Sequence, residues 1–322
     1  MHVLFLLKSR LIMENQNFDH QNFSFMTGLF TVFLCLIFGA NSVAIKVAFN
    51  GLGVFTTAGL RFIIAATAIF LWAKATRQSL RLQVGQFHQM LIFTLLFVVQ
   101  LSLLYFGISK SYASHASLIA NLLPFLILIL AHFFIPGDRI TWRKLIGMLL
   151  GFSGVIFIFL EEKGVPTDFR TGDMMILLAT FLWACNTVYL KRIISGYTPF
   201  HITFYSMLLG VPFFLLEALL WDSRVIINID AGVLGGLFFQ SLITAAFAFV
   251  AWNYLLQKHG AVSLHSFTFI VPIAGVLSAG LILGEPITSR ILLSLGLVVA
   301  GIVAVHFKPP NPAPAYPLRR DD

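Results

Sequence analysis

Charged side chains are scarce in this chain: Asp, Glu, Lys and Arg make up 11% of 322 residues, against 58% hydrophobic. A soluble domain carries about 25% charged residues, so a water-soluble globule is excluded. A mean hydropathy of +0.90 points to lipid instead. Cysteine is nearly absent. Cys35 and Cys185 each sit in an apolar run and read as reduced packing residues, because a disulfide framework needs more of them, outside the membrane. No Gly-x4-Gly-Lys-Ser/Thr loop occurs, so ATP does not drive this protein directly. No Cys/His cluster suggests a metal, and no cofactor is expected. The formal charge of +8 comes without a basic–aromatic module, so it does not argue for nucleic acid.

What the chain has is a duplication. Lys110 to Thr141 reads KSYASHASLIANLLPFLILILAHFFIPGDRIT, and Lys258 to Thr288 reads KHGAVSLHSFTFIVPIAGVLSAGLILGEPIT. Lys, a small-residue run, an apolar helix interrupted by Pro124 or Pro272, then Gly–acid–x–Ile–Thr recur in one order. Upstream, Asn41-Ser-Val-Ala-Ile-Lys46 is echoed by Asn186-Thr-Val-Tyr-Leu-Lys191, about 145 residues on. Two matches at nearly one spacing argue for a tandem repeat of about 140 residues.

Ten apolar segments follow one another at 27–49, 55–73, 89–109, 112–134, 142–160, 173–190, 201–221, 232–256, 262–283 and 289–307. Each has the roughly 17–25 residues that a helix needs to cross about 30 Å of hydrocarbon. Helices are forced, since the backbone in lipid must pair within its own segment. The expected fold is therefore an all-α membrane protein of ten transmembrane helices. Each half has five spans, and five is odd, so the second half enters from the opposite side. Two like halves of opposite topology form an inverted repeat, the architecture of many secondary transporters.

The expected organisation is a cytoplasmic tail 1–26, a first five-helix repeat 27–160, an outer linker 161–172, a second repeat 173–307 and a cytoplasmic tail 308–322. Either Met1 or Met13 is the expected natural start. With both termini inside, the inner connectors and tails hold fourteen basic residues and the outer connectors five. The positive-inside rule favours that orientation.

The blocks Gly39-Ala-Asn-Ser-Val-Ala-Ile-Lys46, Leu60-Arg61-Phe62, Pro124…Gly-Asp-Arg-Ile-Thr141 and Pro272…Gly-Glu-Pro-Ile-Thr288 resemble the EamA-type members of the drug/metabolite transporter superfamily. The resemblance covers residues 27–307 and implies two EamA repeats in a bacterial-type plasma (inner) membrane, moving small metabolites, often outward. The chain departs from the pattern at Asp138, where such proteins usually carry Glu, and by one extra residue before it.

Candidate residues divide by chemistry. Pro124 and Pro272 interrupt their helices and are candidates for gating, since each frees a carbonyl four residues back. Asp138 and Glu285 lie just before a helix, where the dipole favours a carboxylate by roughly 0.3–1 kcal/mol. Lys46, Arg61 and Glu217 are costly in a bilayer, at about 2.5–3.5 kcal/mol for a charge at its centre. They either snorkel to headgroups or build an outer vestibule for an anionic group. Asn41, Tyr105, Asn121, Trp183, Asn186, Trp252 and Asn253, together with Gln100 and Gln240, sit in or near apolar spans. They serve either as interhelical glue or as the hooks and aromatic walls of a solute pocket. His115 and His265 follow corresponding small-residue runs and are read as packed or interfacial. Gly151-Phe-Ser153-Gly154 has the form of an intramembrane serine protease motif, but a serine needs an activating base in reach, and the helix-packing reading of Gly147-x3-Gly151 is preferred.

The expected function is a secondary transporter, not an enzyme, that exports a small organic or amino-acid-like solute by alternating access. Its expected partners are that solute and the bilayer, with proton or solute coupling; a homodimer is left open. A non-transporting membrane scaffold or sensor is the alternative.

Overall fold

The computed structural model describes residues 24–83, 85–134, 140–159, 167–259, 264 and 267–306. These residues form helices α1 (Phe25–Ala48), α2 (Val54–Ala75), α3 (Gln86–Lys110), α4 (Ala113–Ala120), α5 (Leu123–Phe134), α6 (Trp142–Phe159) and α7 (Thr167–Ile193). After a 3-10 turn at Ile194–Gly196 come α8 (Pro199–Trp221), α9 (Ala231–Phe238), a π-helical segment Phe239–Ala248, α10 (Phe249–His259), α11 (Ile270–Leu283) and α12 (Ser289–His306). Taking α4 with α5 as one span, and α9 with the π segment and α10 as another, this is the ten-span bundle. Nine of the spans are long and apolar enough to cross a membrane, and the tenth is the shorter apolar α11.

The solvent for this fold is lipid. Leu281, Leu219, Trp142 and Phe133 are among the most exposed side chains, while Thr31, Thr94, Gln100, Asn186, Gln240 and Ser241 are buried. Polar groups turn inward because hydrocarbon offers them no hydrogen bonds. Between them lies an aromatic and aliphatic core in which the Phe62 ring stacks on Phe214 at 5.1 Å and meets Phe97 edge-on at 5.5 Å.

Helix pairing repeats when the halves are exchanged. The contact of α1 with α11, between the halves, answers the packing of α4 and α5 on α7. Likewise α3 on α7 answers α9 and the π segment on α1, while α2–α8 and α6–α12 map onto themselves. The last seam shows this at atomic scale. A Cβ on Gly147 would meet the Gly301 carbonyl at 2.7 Å, and one on Gly154 would meet the Ser294 carbonyl at 2.8 Å. Ser294 and Gly301 lie 147 residues after Gly147 and Gly154, so the two close approaches are copies related by the pseudo-two-fold. The fold is two inverted five-helix repeats.

Two spans differ from plain apolar helices. The fourth breaks completely at Asn121–Leu122, ahead of Pro124, which then sits in the first turn of α5. Pro272 likewise lies in the first turn of α11, after a turn at 267–269 closed by Ile270 N to Phe267 O at 3.1 Å and Val271 N to Thr268 O at 3.0 Å. Proline is tolerated in a first turn because its missing N–H has no partner there. At the other extreme, α7 starts at Thr167, inside the stretch expected to be linker. Hydropathy marks only the apolar part of a helix, and α7 continues through the polar turn that carries Arg170 and Asp173.

Candidate functional site

The candidate site is a set of polar contacts between the halves. At one end of the bundle the chain supplies helix caps locally and across the repeat. Asp230 caps its own helix α9, accepting from Val233 N at 2.8 Å. Asp222, at the end of α8, instead caps α2 of the other half. It accepts from Phe55 N at 3.2 Å, Thr56 N at 2.7 Å and Thr56 Oγ1 at 2.8 Å. The neighbouring loops zip together beside it, with Gly53 N donating to Val225 O at 3.1 Å and Ile227 N to Gly51 O at 2.8 Å.

Glu285 does the same for α4. Gly284 ends α11 in the left-handed region at φ +67°, a conformation that a side chain resists. A Cβ there would meet nothing within 4 Å, so the need is conformational and not spatial. That turn carries Glu285 away from its own downstream helix α12, whose N-terminus is capped by Thr288 Oγ1 accepting from Ile291 N at 3.2 Å. The Glu285 carboxylate lies on α4, accepting from Ala113 N at 2.7 Å, Ser114 N at 2.9 Å and Ser114 Oγ at 2.7 Å. The acid was expected to act at the helix it precedes; it caps one from the other half. Asp138, its counterpart, lies outside the described residues, as does His265.

The same carboxylate pairs with Lys46 of α1, whose Nζ is 3.4 Å away and also donates to the Ser111 carbonyl. The Ser111 hydroxyl bonds to the Asp173 carboxylate of α7, and the other Asp173 oxygen is 3.0 Å from His115 Nδ1. Asp173 and His115 are both buried. Glu285, Lys46, Ser111, Asp173 and His115 therefore form one chain of contacts across α1, α4, α7 and the end of α11. We call it the clasp. Sequence reasoning named Lys46, Glu285 and His115 but missed Ser111 and Asp173, the latter an acid in the second turn of α7 with no motif around it.

Deeper in the bundle Arg61 of α2 is 3% exposed. Its Nη1 donates to the Tyr105 hydroxyl of α3 at 3.0 Å, and that hydroxyl donates to Gln240 Oε1 of the π segment at 2.7 Å. Gln240 sits at the second position of that segment, where Phe249 N reaches back five residues to Thr244 O. Widened turns of this kind recur at functional sites. Glu217 of α8 binds elsewhere, with both oxygens 2.7 Å from the Ser102 hydroxyl.

The remaining sequence candidates are spread over the interior. The Asn41 and Asn186 side-chain oxygens, at equivalent positions of α1 and α7, are both buried without a hydrogen-bond partner. Asn253 Nδ2 reaches Thr203 Oγ1 at 3.4 Å, and Trp252 meets Phe38 edge-on at 5.7 Å. Asn121 turns back on its own helix to the Ser117 carbonyl at 2.7 Å, and the Trp183 carbonyl accepts from Thr187. Ser153 donates to Leu150 O at 2.8 Å, so its hydroxyl is spent on its own helix. His201 accepts from Thr198 N at 3.3 Å in a capping box at the start of α8. An apolar groove of about 440 Å³ runs along the α2–α9 seam, lined by Ile64, Leu234, Gly235, Leu237, Phe238 and Leu242; with no polar hook it suits a lipid chain.

Among the described residues the opposite end of the bundle is joined without a carboxylate: Arg192 of α7 donates to the Phe134 carbonyl of α5 at 2.7 Å, and the other contacts are neutral. Gln86 Nε2 donates to Gly196 O at 2.7 Å, the Tyr197 hydroxyl lies 2.9 Å from both Gln86 O and Gln89 Oε1, and Tyr205 donates to Leu80 O at 2.7 Å. Burial, then the nearby Tyr189, pushes the Tyr197 phenol above its ordinary pKa, so it remains a donor.

Comparison with known proteins agrees with this architecture. A protein named as an uncharacterized transporter of Archaeoglobus fulgidus is 29% identical over 83% of this chain and 94% of its own. One named as a probable amino-acid metabolite efflux pump of Escherichia coli is 25% identical over 85% of this chain and 93% of its own. A crystal structure of another protein superposes with a TM-score of 0.65 at 16% identity, covering 87% of this chain and 96% of that one, which bears on the fold alone. Residues 26–160 and 170–307 each match the EamA-like transporter family, one repeat apiece. This chain is a multi-pass membrane transporter and belongs to the EamA-like transporter family of the drug/metabolite transporter superfamily.

Proposed function

We propose that the chain is a secondary transporter that exports a small, amino-acid-like organic solute from the cytoplasm by alternating access. Both termini lie in the cytoplasm of a bacterial-type inner membrane, and a proton or solute gradient supplies the work. The observation that carries this reading is the clasp. It joins the halves at one end of the bundle through the buried carboxylates of Glu285 and Asp173, while the described contacts at the other end are made by neutral groups and the Arg192 guanidinium. In an inverted repeat the two ends are equivalent by construction, so a contact made at one end has a counterpart the chain can make at the other. Lys191 stands where Lys46 does in the repeat, and Asp138 where Glu285 does. Exchange of one clasp for the other would move access from side to side.

The solute class is suggested by the efflux pump to which the chain is similar, and the outward direction follows the same relative. The test is purified protein in proteoliposomes, loaded with unlabelled amino acids and metabolite mixtures and assayed for counterflow of labelled solute. Saturable exchange that a proton gradient accelerates is the expected result. No counterflow across a broad panel, with the protein shown to be folded and inserted, would overturn transport.

A further inference from the structure

We infer that Arg61, with Gln240, forms a buried receptor for a single carboxylate, so that the transported solute is a carboxylic acid or amino acid carried with its acid group ionised. This rests on the transport reading only for the role of the bound molecule as cargo.

An arginine has N–H donors and no acceptor. The Tyr105 oxygen, 3.0 Å from Arg61 Nη1, must therefore accept that bond, and its own proton must go to Gln240 Oε1 at 2.7 Å. This fixes the Gln240 amide: its oxygen faces Tyr105 and its NH2 faces away. The two ends of the network are then both donors, Arg61 Nε–H and Gln240 Nε2–H2. Both are buried without a hydrogen-bond partner. Gln240 is 0% exposed and Arg61 3%.

Charge points the same way. Among the described residues no carboxylate stands within 4.0 Å of the guanidinium; Glu285 pairs with Lys46, and Asp173 with His115. Glu217 is held by Ser102, one turn along α3 from Tyr105. The Phe62 ring, 5.3 Å from the guanidinium, offers partial cation–π compensation. A desolvated cation without a counter-ion is costly, and two unfilled donors beside it add to that cost. An anionic group with two acceptor oxygens would supply the missing counter-charge and the missing acceptors.

A purely structural role for Arg61 fails on the protein's own internal control. Tyr105 precedes Lys110 by the same five residues as Asn253 precedes Lys258, so the two are repeat equivalents. In the second half Asn253 reaches across to α8 at Thr203 Oγ1, 3.4 Å away. That is the same helix junction as α3 on α2, and it is built from neutral groups. The fold does not need a cation there. The first half has one, linked through the Tyr105 hydroxyl to an amide of the π segment.

Net charge of the site is one, which selects a monoanion over a phosphate dianion. The flanking rings, Phe62 and the Phe49 that meets Tyr105 edge-on at 6.0 Å, favour an apolar body attached to the acid.

The test is ligand-dependent thermal stabilisation of the full chain in detergent, with matched probes. Phenylalanine, 3-phenylpropionate, phenylethylamine and phenylalanine methyl ester form one series; leucine, 4-methylpentanoate, isoamylamine and leucine methyl ester form the other. Inorganic phosphate is the dianion control. We expect at least one free acid to stabilise the wild type, with its ester and amine at least tenfold weaker and phosphate without effect. Arg61→Gln should weaken the acid at least tenfold, Arg61→Lys less, and Gln240→Leu several-fold. Esters or amines as effective as acids, an undiminished response in Arg61→Gln, or no response to any acid would each overturn the inference. If Arg61→Gln does not fold, the acid-against-ester contrast in the wild type and the Gln240→Leu response decide. An acid that binds through Arg61 but shows no counterflow in proteoliposomes would sink transport and leave the receptor standing. Counterflow confined to solutes without a carboxylate would do the reverse.

Discussion

Lys46 and Glu285, separated by 239 residues of chain, meet at 3.4 Å over the N-terminus of a helix that belongs to neither of their segments. The side chain of Glu285 is 5% exposed and that of Lys46 26%, so the carboxylate carries the buried part of the pair. Removing it orphans the Ala113 and Ser114 amides and the Ser114 hydroxyl together. Glu285→Ala should therefore lower stability by about 1–3 kcal/mol, measured by thermal unfolding in detergent. It should also loosen one end of the bundle. In a background with Cys35 and Cys185 replaced by Ala, alkylation of Ala113→Cys should rise several-fold on adding Glu285→Ala. Unchanged labelling would mean that the clasp does not hold that end.

Asp222 offers a comparison of a cap across the repeat with a local one. It takes three donors from α2, whereas Asp230 takes one from its own helix. Loss of a cap costs about 0.5–2 kcal/mol. Asp222→Ala is expected near or above the top of that range and Asp230→Ala near the bottom. Equal losses in the two thermal-unfolding curves would show that the contact between the halves adds nothing beyond a cap.

The sequence-level reading reached the helices and the repeat because both are periodic properties of the chain. Lipid admits few backbone solutions, so apolar length alone places ten spans. The Gly–acid–x–Ile–Thr block was legible as a helix boundary, and Gly284 explains its glycine by a positive φ. Which helix Glu285 would serve was not legible, since its partner Ala113 is 172 residues away and the local helix satisfies itself through Thr288. Asp173 and Ser111 carried no spacing signal at all. The break ahead of Pro124 at Asn121–Leu122 is a full interruption that places the proline in the first turn of a new helix, where a kink in one continuous helix was expected. Arg61 and Tyr105 were named singly. Their junction with Gln240 needs three helices in place before it exists.

Glycines on the α6–α12 seam give a test of the pseudo-two-fold itself. A Cβ on Gly147 would meet Val305 Cγ2 at 2.6 Å and the Gly301 carbonyl at 2.7 Å, and one on Gly301 would meet the Gly147 carbonyl at 2.6 Å. A backbone carbonyl cannot swing aside as a side chain can, so the helices must part. Gly147→Val and Gly301→Val should each cost about 1–3 kcal/mol. Gly296, on the same helix as Gly301, has open space around its would-be Cβ. Gly296→Ala should be neutral or stabilising by up to about 1 kcal/mol, and thermal unfolding of the three variants side by side checks the contrast.

The broken spans bear on turnover. Pro124 and Pro272 lie in first turns, each following a short segment at which the helix axis is interrupted. A first-turn proline costs the helix no internal hydrogen bond, so neither residue is needed to hold its own helix together. What each proline does is prevent the preceding segment from joining in one continuous helix, because its ring clashes with the carbonyl four residues back. Pro124→Ala and Pro272→Ala should therefore leave the folded protein in the membrane with little change in unfolding temperature. If the interruptions serve as hinges for alternating access, solute exchange in proteoliposomes should slow by about tenfold, which corresponds to roughly 1.4 kcal/mol on the barrier. The double variant should be slower than either single one, because the halves move against each other and each supplies one hinge. Wild-type turnover in the double variant would assign the breaks to packing alone.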